Sequence, residues 1–306
     1  MRSVLRQAKA FLMLCRLRFL IPGLLLYILG FLLAVAYGAD LDLERFVLGY
    51  LIFFTAHLSL HLSNDYFDQK ADFFNSPTAV SGGSGILKAH PELARLALAL
   101  SLSLIVISLL IAIYFQVRFA APWYFFPLVL VGNGLGFFYT APPIRLAYRG
   151  LGELSTAFAA GVLMPGMGYL SAINALDHNF LILTPAFLSY GMFFILNVEM
   201  PDAQGDREGG KVNLMVKYGV KKGYAAILLS ISMGTFLFIA LSFWGSSSAL
   251  DYRWFMFFSL IPLAVGLAGA RIDLGDRSQL IRQVKGNIAS LIVFLLLIDA
   301  YLLTLI

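Results

Sequence analysis

The stretch HLSNDYFDQKAD, from His61 to Asp72, places Asp65, Asp68 and Asp72 directly after a strongly apolar segment. That segment, residues 46–64, approaches the roughly 20 residues that an α-helix needs to cross the hydrocarbon core of a membrane. Three carboxylates therefore lie where an apolar helix reaches the membrane surface. The stretch predicts a membrane helix that ends in an acidic functional site.

The rest of the chain has the same apolar character. Hydrophobic residues make up 60% of its 306 residues and charged residues 13%, with a mean hydropathy of +0.83, whereas a soluble domain carries about 25% charged residues. Segments of membrane-spanning length occur at 19–38, 46–64, 94–116, 121–139, 153–174, 180–198, 224–245, 253–270 and 288–306. We predict an all-α, polytopic membrane bundle of nine transmembrane helices.

The distribution of basic residues predicts how this bundle is oriented. Of the 22 Lys and Arg residues, 19 fall in alternate segments that include the N-terminus, and only Arg45, Arg118 and Arg253 fall on the other side. Basic residues collect on the cytoplasmic side of membrane proteins, so we expect a cytoplasmic N-terminus. The pI of about 9.3 then reflects topology and anionic lipid rather than a nucleic-acid partner.

Two acidic clusters follow the second and the sixth predicted helices. Asp68 and Asp72 are four residues apart, and so are Asp202 and Asp206. Side chains at this spacing share one face of a helix, and the two clusters lie in loops that we predict to be cytoplasmic. Antiparallel helices can bring such ends together around a central cavity.

Crowded carboxylates repel each other unless a cation lies among them. Oxygen ligands suit Mg²⁺, which is commonly held by a few carboxylates together with phosphate oxygens. We therefore expect Mg²⁺ and a diphosphate at these clusters. Basic residues on the same side are candidates for the remaining phosphate oxygens: Arg16, Lys70, Arg145, Arg207 and Lys211.

Two other interpretations of the acidic clusters remain open at this stage. Acidic residues at a cytoplasmic helix end can simply be solvated, and intramembrane acids can line the ion path of a cation-coupled transporter. The transporter is the less favoured hypothesis, because alternating access tends to use a site near the middle of the membrane. These acids lie at helix ends instead.

His57 and His61 lie one helical turn apart and precede Asp65 by a further turn. They could form a metal site, but an oxygen-rich Mg²⁺ site has little use for imidazole. We expect them to line the cavity or to bond to neighbouring helices. The one cysteine, Cys15, cannot form an internal disulfide and fits a cytoplasmic or membrane setting.

Three blocks of the sequence resemble the UbiA superfamily of intramembrane aromatic prenyltransferases. They are NDYFDQKAD followed by SGGSGIL, then YTAPPIRLAYRGLGE, then PDAQGDREGGKVNLMVKYG. Within the superfamily the blocks are most similar to the branch that prenylates 1,4-dihydroxy-2-naphthoate in menaquinone synthesis. The second acidic block here reads NVEMPD, whereas relatives in that branch place Asn and Glu adjacent, and we assign no role to Asn197.

The resemblance implies one domain over residues 1–306, with a cavity that opens to the cytoplasmic side and laterally to lipid. It implies a multi-pass enzyme of the cell membrane that uses Mg²⁺ to bind a polyprenyl diphosphate and transfers the prenyl group to an aromatic acceptor. Acceptors of the 4-hydroxybenzoate, glyceryl phosphate or porphyrin type stay open. The resemblance assigns no oligomeric state and no prenyl chain length.

The resemblance also implies roles for individual residues. Asn64, Asp65, Asp68 and Asp72 match the first metal and diphosphate motif, and Asp202 and Asp206 match the second. Lys211 matches the Gly-Lys position that follows the second motif, and Tyr139 matches a cavity tyrosine. Arg145 matches a position suited to a diphosphate or to a carboxylate of the acceptor. The five aspartates and Tyr139 are thus the expected catalytic residues.

Overall fold

The computed structural model describes residues 10–75, 83–245, 247 and 249–306. Within these ranges the chain is all-α and contains no strand. Its principal helices are α1 (Leu20–Ala36), α2 (Leu43–Phe67), α3 (Ala94–Arg118), α4 (Phe125–Phe137), α5 (Gly152–Ile173), α6 (Thr184–Glu199), α7 (Val220–Trp244), α8 (Tyr252–Ala268) and α9 (Arg277–Leu303). Residues 76–82, which hold most of the Ser- and Gly-rich part of the first loop, lie outside the described ranges.

Shorter helical pieces connect the principal helices. The α-helical pieces are Gln69–Asp72, Ile86–Ala89, His178–Leu181, Ala203–Gly209 and Leu214–Tyr218. Single 3₁₀ turns occur at Leu17–Phe19, Pro91–Leu93, Leu146–Tyr148, Met200–Asp202 and Gly269–Arg271. Inside α5, residues Ala159–Leu163 form a π-helical turn just before Pro165.

Seven of the described helices are long and apolar enough to cross a membrane. Each of the nine segments expected from the sequence contains a helix, but α4 has 13 residues and α6 has 16, fewer than the roughly 20 of a full span. Prolines explain both lengths, because proline cannot donate an intrahelical hydrogen bond. Pro122 precedes α4 and Pro142 follows it, whereas Pro185 lies in the first turn of α6 and Pro201 follows its last residue.

The last helix begins well before its apolar segment. We expected a span at 288–306, but α9 starts at Arg277 because the Asp276 carboxylate accepts hydrogen bonds from the backbone N–H groups of Ser278 at 2.8 Å and Gln279 at 3.3 Å. Such a cap satisfies N–H groups that have no partner inside the helix. The polar first turns of α9 thus extend beyond the apolar segment.

Six helices surround a central cavity. Residues of α1, α2, α4, α5, α6 and α9 line it, while α3, α7 and α8 pack outside these six. Helices α1 and α5 approach closely at Gly30 and Gly168, where a Cβ atom would overlap the facing backbone. Small residues permit such contacts between membrane helices.

The two ends of the bundle differ in chemistry. At one end, Arg118 pairs with Glu44 at 2.9 Å and Arg45 donates to the Asn174 side chain at 3.0 Å, which joins the start of α2 to the ends of α3 and α5. At the other end, the backbone N–H of Val212 donates to Ala147 O at 3.1 Å. Residues 65–75 and 83–92, 140–152 and 199–223 meet at this second end.

Candidate active site

The first acidic motif spans a break in the helix. Helix α2 ends at Phe67, Asp68 leaves the helical conformation with φ −92° and ψ 4°, and a short helix runs from Gln69 to Asp72. Asp65 and Asp68 are buried and Asp72 is half-buried. The break thus directs the aspartates inward instead of leaving them solvated at the helix end.

The second acidic motif is built from a turn and a short helix. After α6, the turn Met200–Asp202 contains Pro201, and the helix Ala203–Gly209 ends at Gly210, whose φ of 82° suits glycine. Asp202 and Asp206 are both buried. Lys211 follows directly, and its backbone N–H donates to Asp206 O at 2.9 Å.

Lys211 joins the two motifs. Its ammonium lies 2.6 Å from Asp68 Oδ2 and 3.7 Å from Asp206 Oδ1. Burial by itself lowers the pKa of Lys211, but the negative charges of Asp68, Asp206 and Asp72 outweigh burial and raise the pKa well above its usual value. A permanent positive charge therefore lies between carboxylates from distant parts of the chain.

Neutral donors complete the carboxylate group. Asn75 and Asn213 donate to the two oxygens of Asp206 at 3.1 and 3.0 Å, and the Tyr148 hydroxyl donates to Asp68 Oδ1 at 2.7 Å. Burial raises the pKa of Asp206, although Lys211 and the two amides act in the opposite direction. None of these three donors was expected from the sequence, although Tyr148 and Asn213 lie inside the blocks that carry the resemblance.

Asp72 lies on the edge of this group. Its side chain packs against Gly83, where φ is 66° and a Cβ atom would overlap the carboxylate. Burial raises the pKa of Asp72 to about 7, with Lys211 opposing the shift and Asp68 and Asp65 adding to it. The returning loop therefore covers a carboxylate that holds its proton more readily than a solvated one.

Two further buried acids were not expected from the sequence. The Glu153 carboxylate accepts a hydrogen bond from the backbone N–H of Leu214 at 2.6 Å. Glu199 is 8% exposed, and its Oε2 atom has no hydrogen-bond partner among the described residues.

Asn197 is structural, because its Oδ1 accepts a hydrogen bond from Asn287 Nδ2 at 2.7 Å. This hydrogen bond joins α6 to α9.

Three of the expected residues lie where the acidic group meets the cavity. Arg16 Nη1 is 3.5 Å from Asp65 Oδ1, and the Asn64 side chain accepts from the Thr140 hydroxyl at 2.9 Å. Arg16, Asn64 and Tyr139 all line the cavity. The acidic group and the cavity are thus continuous through these side chains.

The other three expected basic residues do not reach the carboxylates. Arg207 is exposed and donates to Val216 O at 2.9 Å. Arg145 is exposed and lies 3.9 Å above the ring of Tyr148, so it touches the group only through that tyrosine. Lys70 is exposed and forms no ion pair with any described residue. A basic charge on the correct side of the membrane was not sufficient to predict a contact.

The cavity itself has a volume of about 410 Å³, within the range of small-molecule sites. Most of its lining is aliphatic or aromatic. Its polar exceptions include Arg16, His57, His61, Asn64, Asn133 and Tyr139. The site therefore combines an apolar space with one charged end.

The side chains at that end fit a hard divalent cation. Within residues 10–75, 83–245, 247 and 249–306, no three His, Cys, Asp or Glu side chains form a metal cluster, and the Lys211 ammonium lies between Asp68 and Asp206. All available donors are carboxylate or amide oxygens, and Mg²⁺ usually takes only one or two carboxylates together with phosphate oxygens. Asp65, Asp68, Asp72, Asp202 and Asp206 are the residues that could hold it.

Related sequences identify the family of this chain. The UbiA prenyltransferase family matches residues 24–295. The 1,4-dihydroxy-2-naphthoate octaprenyltransferase of Bacillus subtilis (strain 168) is 24% identical over 222 residues, which cover 72% of this chain and 70% of that protein. The 2-carboxy-1,4-naphthoquinone phytyltransferase of Synechocystis sp. (strain ATCC 27184 / PCC 6803 / Kazusa) is 32% identical over 114 residues, which cover 37% of this chain and 36% of that protein.

Solved structures share the fold. A UbiA homolog from Archaeoglobus fulgidus bound to GPP and Mg²⁺ superposes with a TM-score of 0.66 at 18% identity, covering 94% of this chain and 99% of that one. A digeranylgeranylglyceryl phosphate synthase superposes with a TM-score of 0.67 at 16% identity, covering 98% and 99%. The enzyme hypothesis thus prevails over the transporter. The chain belongs to the UbiA prenyltransferase family and is an integral, multi-pass membrane prenyltransferase.

Proposed function

We propose that this protein transfers a polyprenyl group from an isoprenoid diphosphate to an aromatic quinone precursor, 1,4-dihydroxy-2-naphthoate, with Mg²⁺. The observation that carries the proposal is the meeting of Asp68 and Asp206 around Lys211 at the polar end of an apolar cavity. This arrangement matches an amphipathic donor substrate, whose diphosphate is anionic and whose tail is apolar.

The diphosphate would bind at the acidic end. Mg²⁺ held there would neutralise the leaving diphosphate. Lys211 would donate hydrogen bonds to phosphate oxygens. The structure of the Archaeoglobus fulgidus homolog, which is bound to GPP and Mg²⁺, supports this assignment.

The reaction would take place where the acidic end meets the cavity. The allylic C–O bond breaks and its electron pair leaves on the diphosphate, after which a ring carbon of the acceptor forms the new C–C bond with the allylic cation. That ring carbon then loses its proton or carboxylate group. Aromatic faces such as those of Phe19, Phe53 and Tyr139, which line the cavity, stabilise a cation without reacting with it.

The names of the relatives support a naphthalene-type acceptor. Both the Bacillus subtilis and the Synechocystis proteins are named for naphthoate or naphthoquinone substrates. The fold does not select the acceptor, since the digeranylgeranylglyceryl phosphate synthase shares it. Acceptors of the 4-hydroxybenzoate, glyceryl phosphate or porphyrin type are therefore the alternatives to test.

The membrane arrangement forms part of the proposal. We infer that all nine principal helices cross the membrane, with the N-terminus and the acidic end on the cytoplasmic side. The excess of basic residues in the corresponding segments supports this orientation. A lateral opening of the cavity to lipid would admit the membrane-soluble prenyl tail.

The test is pyrophosphate release by purified protein in lipid, with geranylgeranyl diphosphate and either 1,4-dihydroxy-2-naphthoate or 4-hydroxybenzoate, with and without Mg²⁺. We expect release with the naphthoate in Mg²⁺, and a loss on the order of 100-fold or more in Asp68→Asn and Asp202→Asn, because each change removes one of the negative charges that would hold the metal. Asp40→Asn, an exposed aspartate at the other end of the bundle, serves as the matched control. Release with 4-hydroxybenzoate alone would overturn the acceptor assignment, and full activity of both variants would overturn the site.

A further inference from the structure

Two histidines on the cavity side of α2 are not used by the chemistry above. His57 and His61 lie one turn apart with their ring centroids 4.9 Å from each other, and both line the cavity. His57 is 9% exposed. His57 Nδ1, His61 Nε2 and Arg16 Nε are buried and have no hydrogen-bond partner among the described residues.

Aromatic and cationic groups surround the pair. Phe53 lies 5.2 Å from His57 and Phe19 lies 6.0 Å from His61, measured between ring centroids. Arg16 extends this row, since its guanidinium carbon is 4.5 Å from the centre of the Phe19 ring. The row provides flat apolar faces together with hydrogen-bonding nitrogens, which suits an aromatic ring with polar substituents.

The buried nitrogens point to a ligand rather than to packing alone. Buried polar groups are normally hydrogen-bonded, because leaving them without a partner is costly. A metal is a poor candidate, since the described residues place no third His, Cys, Asp or Glu beside the pair. Diphosphate is also a poor candidate, because the five aspartates and Lys211 already provide for the donor's charged group one to two turns away.

We propose that His57 and His61 form the hydrogen-bonding wall of the acceptor site, where they bind a ring hydroxyl while Arg16 binds a carboxylate of the same ring. This inference rests on the proposed function and names the two histidines as binding residues for a hydroxylated aromatic acid. A neutral imidazole nitrogen accepts a hydrogen bond from the hydroxyl. That hydrogen bond increases the electron density of the ring, which favours attack on an allylic cation.

Position along α2 supports this assignment. Arg16 contacts Asp65, and Asp65 lies one turn beyond His61 on the same helix. A ring held between Arg16 and the histidines is therefore adjacent to the carboxylates that would release the allylic carbon. Asn64, which lies between His61 and Asp65 and also lines the cavity, marks the passage between the two subsites.

The test uses two unreactive ligands that differ by one hydroxyl, 4-hydroxy-2-naphthoate and 2-naphthoate. Their dissociation constants are measured by titration calorimetry on the full chain in lipid nanodiscs. Wild-type protein should bind the hydroxylated ligand about tenfold more tightly, as a net hydrogen bond in a buried site predicts. In His57→Leu and His61→Leu this preference should fall to about twofold or less, while 2-naphthoate binds as before.

Three controls separate the inference from folding and from the proposed function. His61→Gln keeps a hydrogen-bonding side chain and should recover part of the preference. His90→Leu changes a histidine outside the cavity, whose Nδ1 contacts Glu92 at 3.0 Å, and should keep all of it. Mg²⁺-dependent binding of geranylgeranyl thiodiphosphate should be the same in every variant.

The outcomes are distinct. Equal affinity of the wild type for the two naphthoates, or an undiminished preference in both Leu variants, overturns the role of the histidines. If the wild type shows no Mg²⁺-dependent binding of geranylgeranyl thiodiphosphate, the proposed function is overturned instead. If the Leu variants bind neither naphthoate while the wild type binds both, His57 and His61 serve packing between α1 and α2. This result too overturns the inference.

Discussion

At the scale of single residues, Lys211 is the side chain that forms ion pairs with both acidic motifs. Its ammonium is 2.6 Å from Asp68 and 3.7 Å from Asp206, and its side chain is 15% exposed. Removing one partner of a buried ion pair leaves an unpaired charge, which costs about 3–5 kcal/mol. The lysine thus acts as a fixed counter-ion for carboxylates that, in the proposed function, also bind a metal.

We predict that Lys211→Met lowers the melting temperature in the absence of divalent cations, because Asp68 and Asp206 then repel each other. Added Mg²⁺ should raise the melting temperature of the variant more than that of the wild type, since the metal takes over part of the role of the ammonium. Thermal unfolding in detergent with and without Mg²⁺ measures both effects.

Lys222→Met is the matched control, because Lys222 is exposed on the same side of the bundle. It should leave the melting temperature and the Mg²⁺ response at their wild-type values. An identical Mg²⁺ response in Lys211→Met and wild type would contradict the idea that metal and ammonium share these carboxylates.

The sequence predicted part of this residue-scale arrangement. Helical spacing indicated that Asp68 and Asp72 share a face, and the structure brings Asp68 to Asp206 through Lys211. Spacing could not predict the donors Asn75 and Tyr148, because their contacts depend on how two loops fold across each other. The charge of Arg207 predicted that it reaches the carboxylates, but its side chain donates to the backbone carbonyl of Val216 instead.

At the scale of elements, the apolar pattern predicted where helices lie but not where they end. Each apolar segment of the sequence contains a helix, whereas the start of α9 depends on the cap formed by Asp276. The short lengths of α4 and α6 depend on flanking prolines. Helix ends follow local hydrogen bonding, which mean hydropathy does not report.

The two short helices that carry the acidic motifs approach each other through glycine. On Gly209, a Cβ atom would lie 2.6 Å from Ala71 Cβ and 2.7 Å from Ala71 Cα, and on Gly205 it would overlap the Asn75 side chain. These glycines are four residues apart and share one face of Ala203–Gly209. The contact sets the separation between Asp206 and the first motif.

We therefore predict that Gly209→Ala pushes the helix Ala203–Gly209 away from Gln69–Asp72 and raises the KM for prenyl diphosphate on the order of tenfold. Steady-state kinetics in lipid measure this change. Gly134→Ala is the control, since a Cβ atom there meets nothing within 4 Å and Ala favours a helix over Gly. A wild-type KM in Gly209→Ala would show that the spacing of the two short helices does not limit diphosphate binding.

At the scale of the whole molecule, the cavity and the acidic end depend on the alternating direction of the helices. Two of the principal helices, α4 and α6, are shorter than a full span, yet both line the cavity. If either failed to cross the membrane, the loops on its two sides would lie on the same side of the bilayer. The topology is therefore tested most sharply around these two helices.

Single cysteines report the side on which each loop lies. Cys15 is the one cysteine of the chain and is buried, so Cys15→Ser provides the background. Asp40→Cys and Arg149→Cys lie on either side of α2, α3 and α4, and His178→Cys and Asp273→Cys lie on either side of α6, α7 and α8. All four positions are exposed, and three crossings separate the members of each pair.

We predict that a membrane-impermeant maleimide labels Asp40→Cys and His178→Cys in intact cells, whereas Arg149→Cys and Asp273→Cys react only after permeabilisation. The physical reason is the positive-inside rule, because residues 149 and 273 lie in the alternate segments that hold 19 of the 22 Lys and Arg residues. If both members of the first pair are labelled from outside, α4 does not cross the membrane. If both members of the second pair are labelled from outside, α6 does not cross the membrane. The fully reversed pattern would keep nine crossings but place Lys211 and the acidic end outside the cell, which would contradict a cytoplasmic diphosphate site.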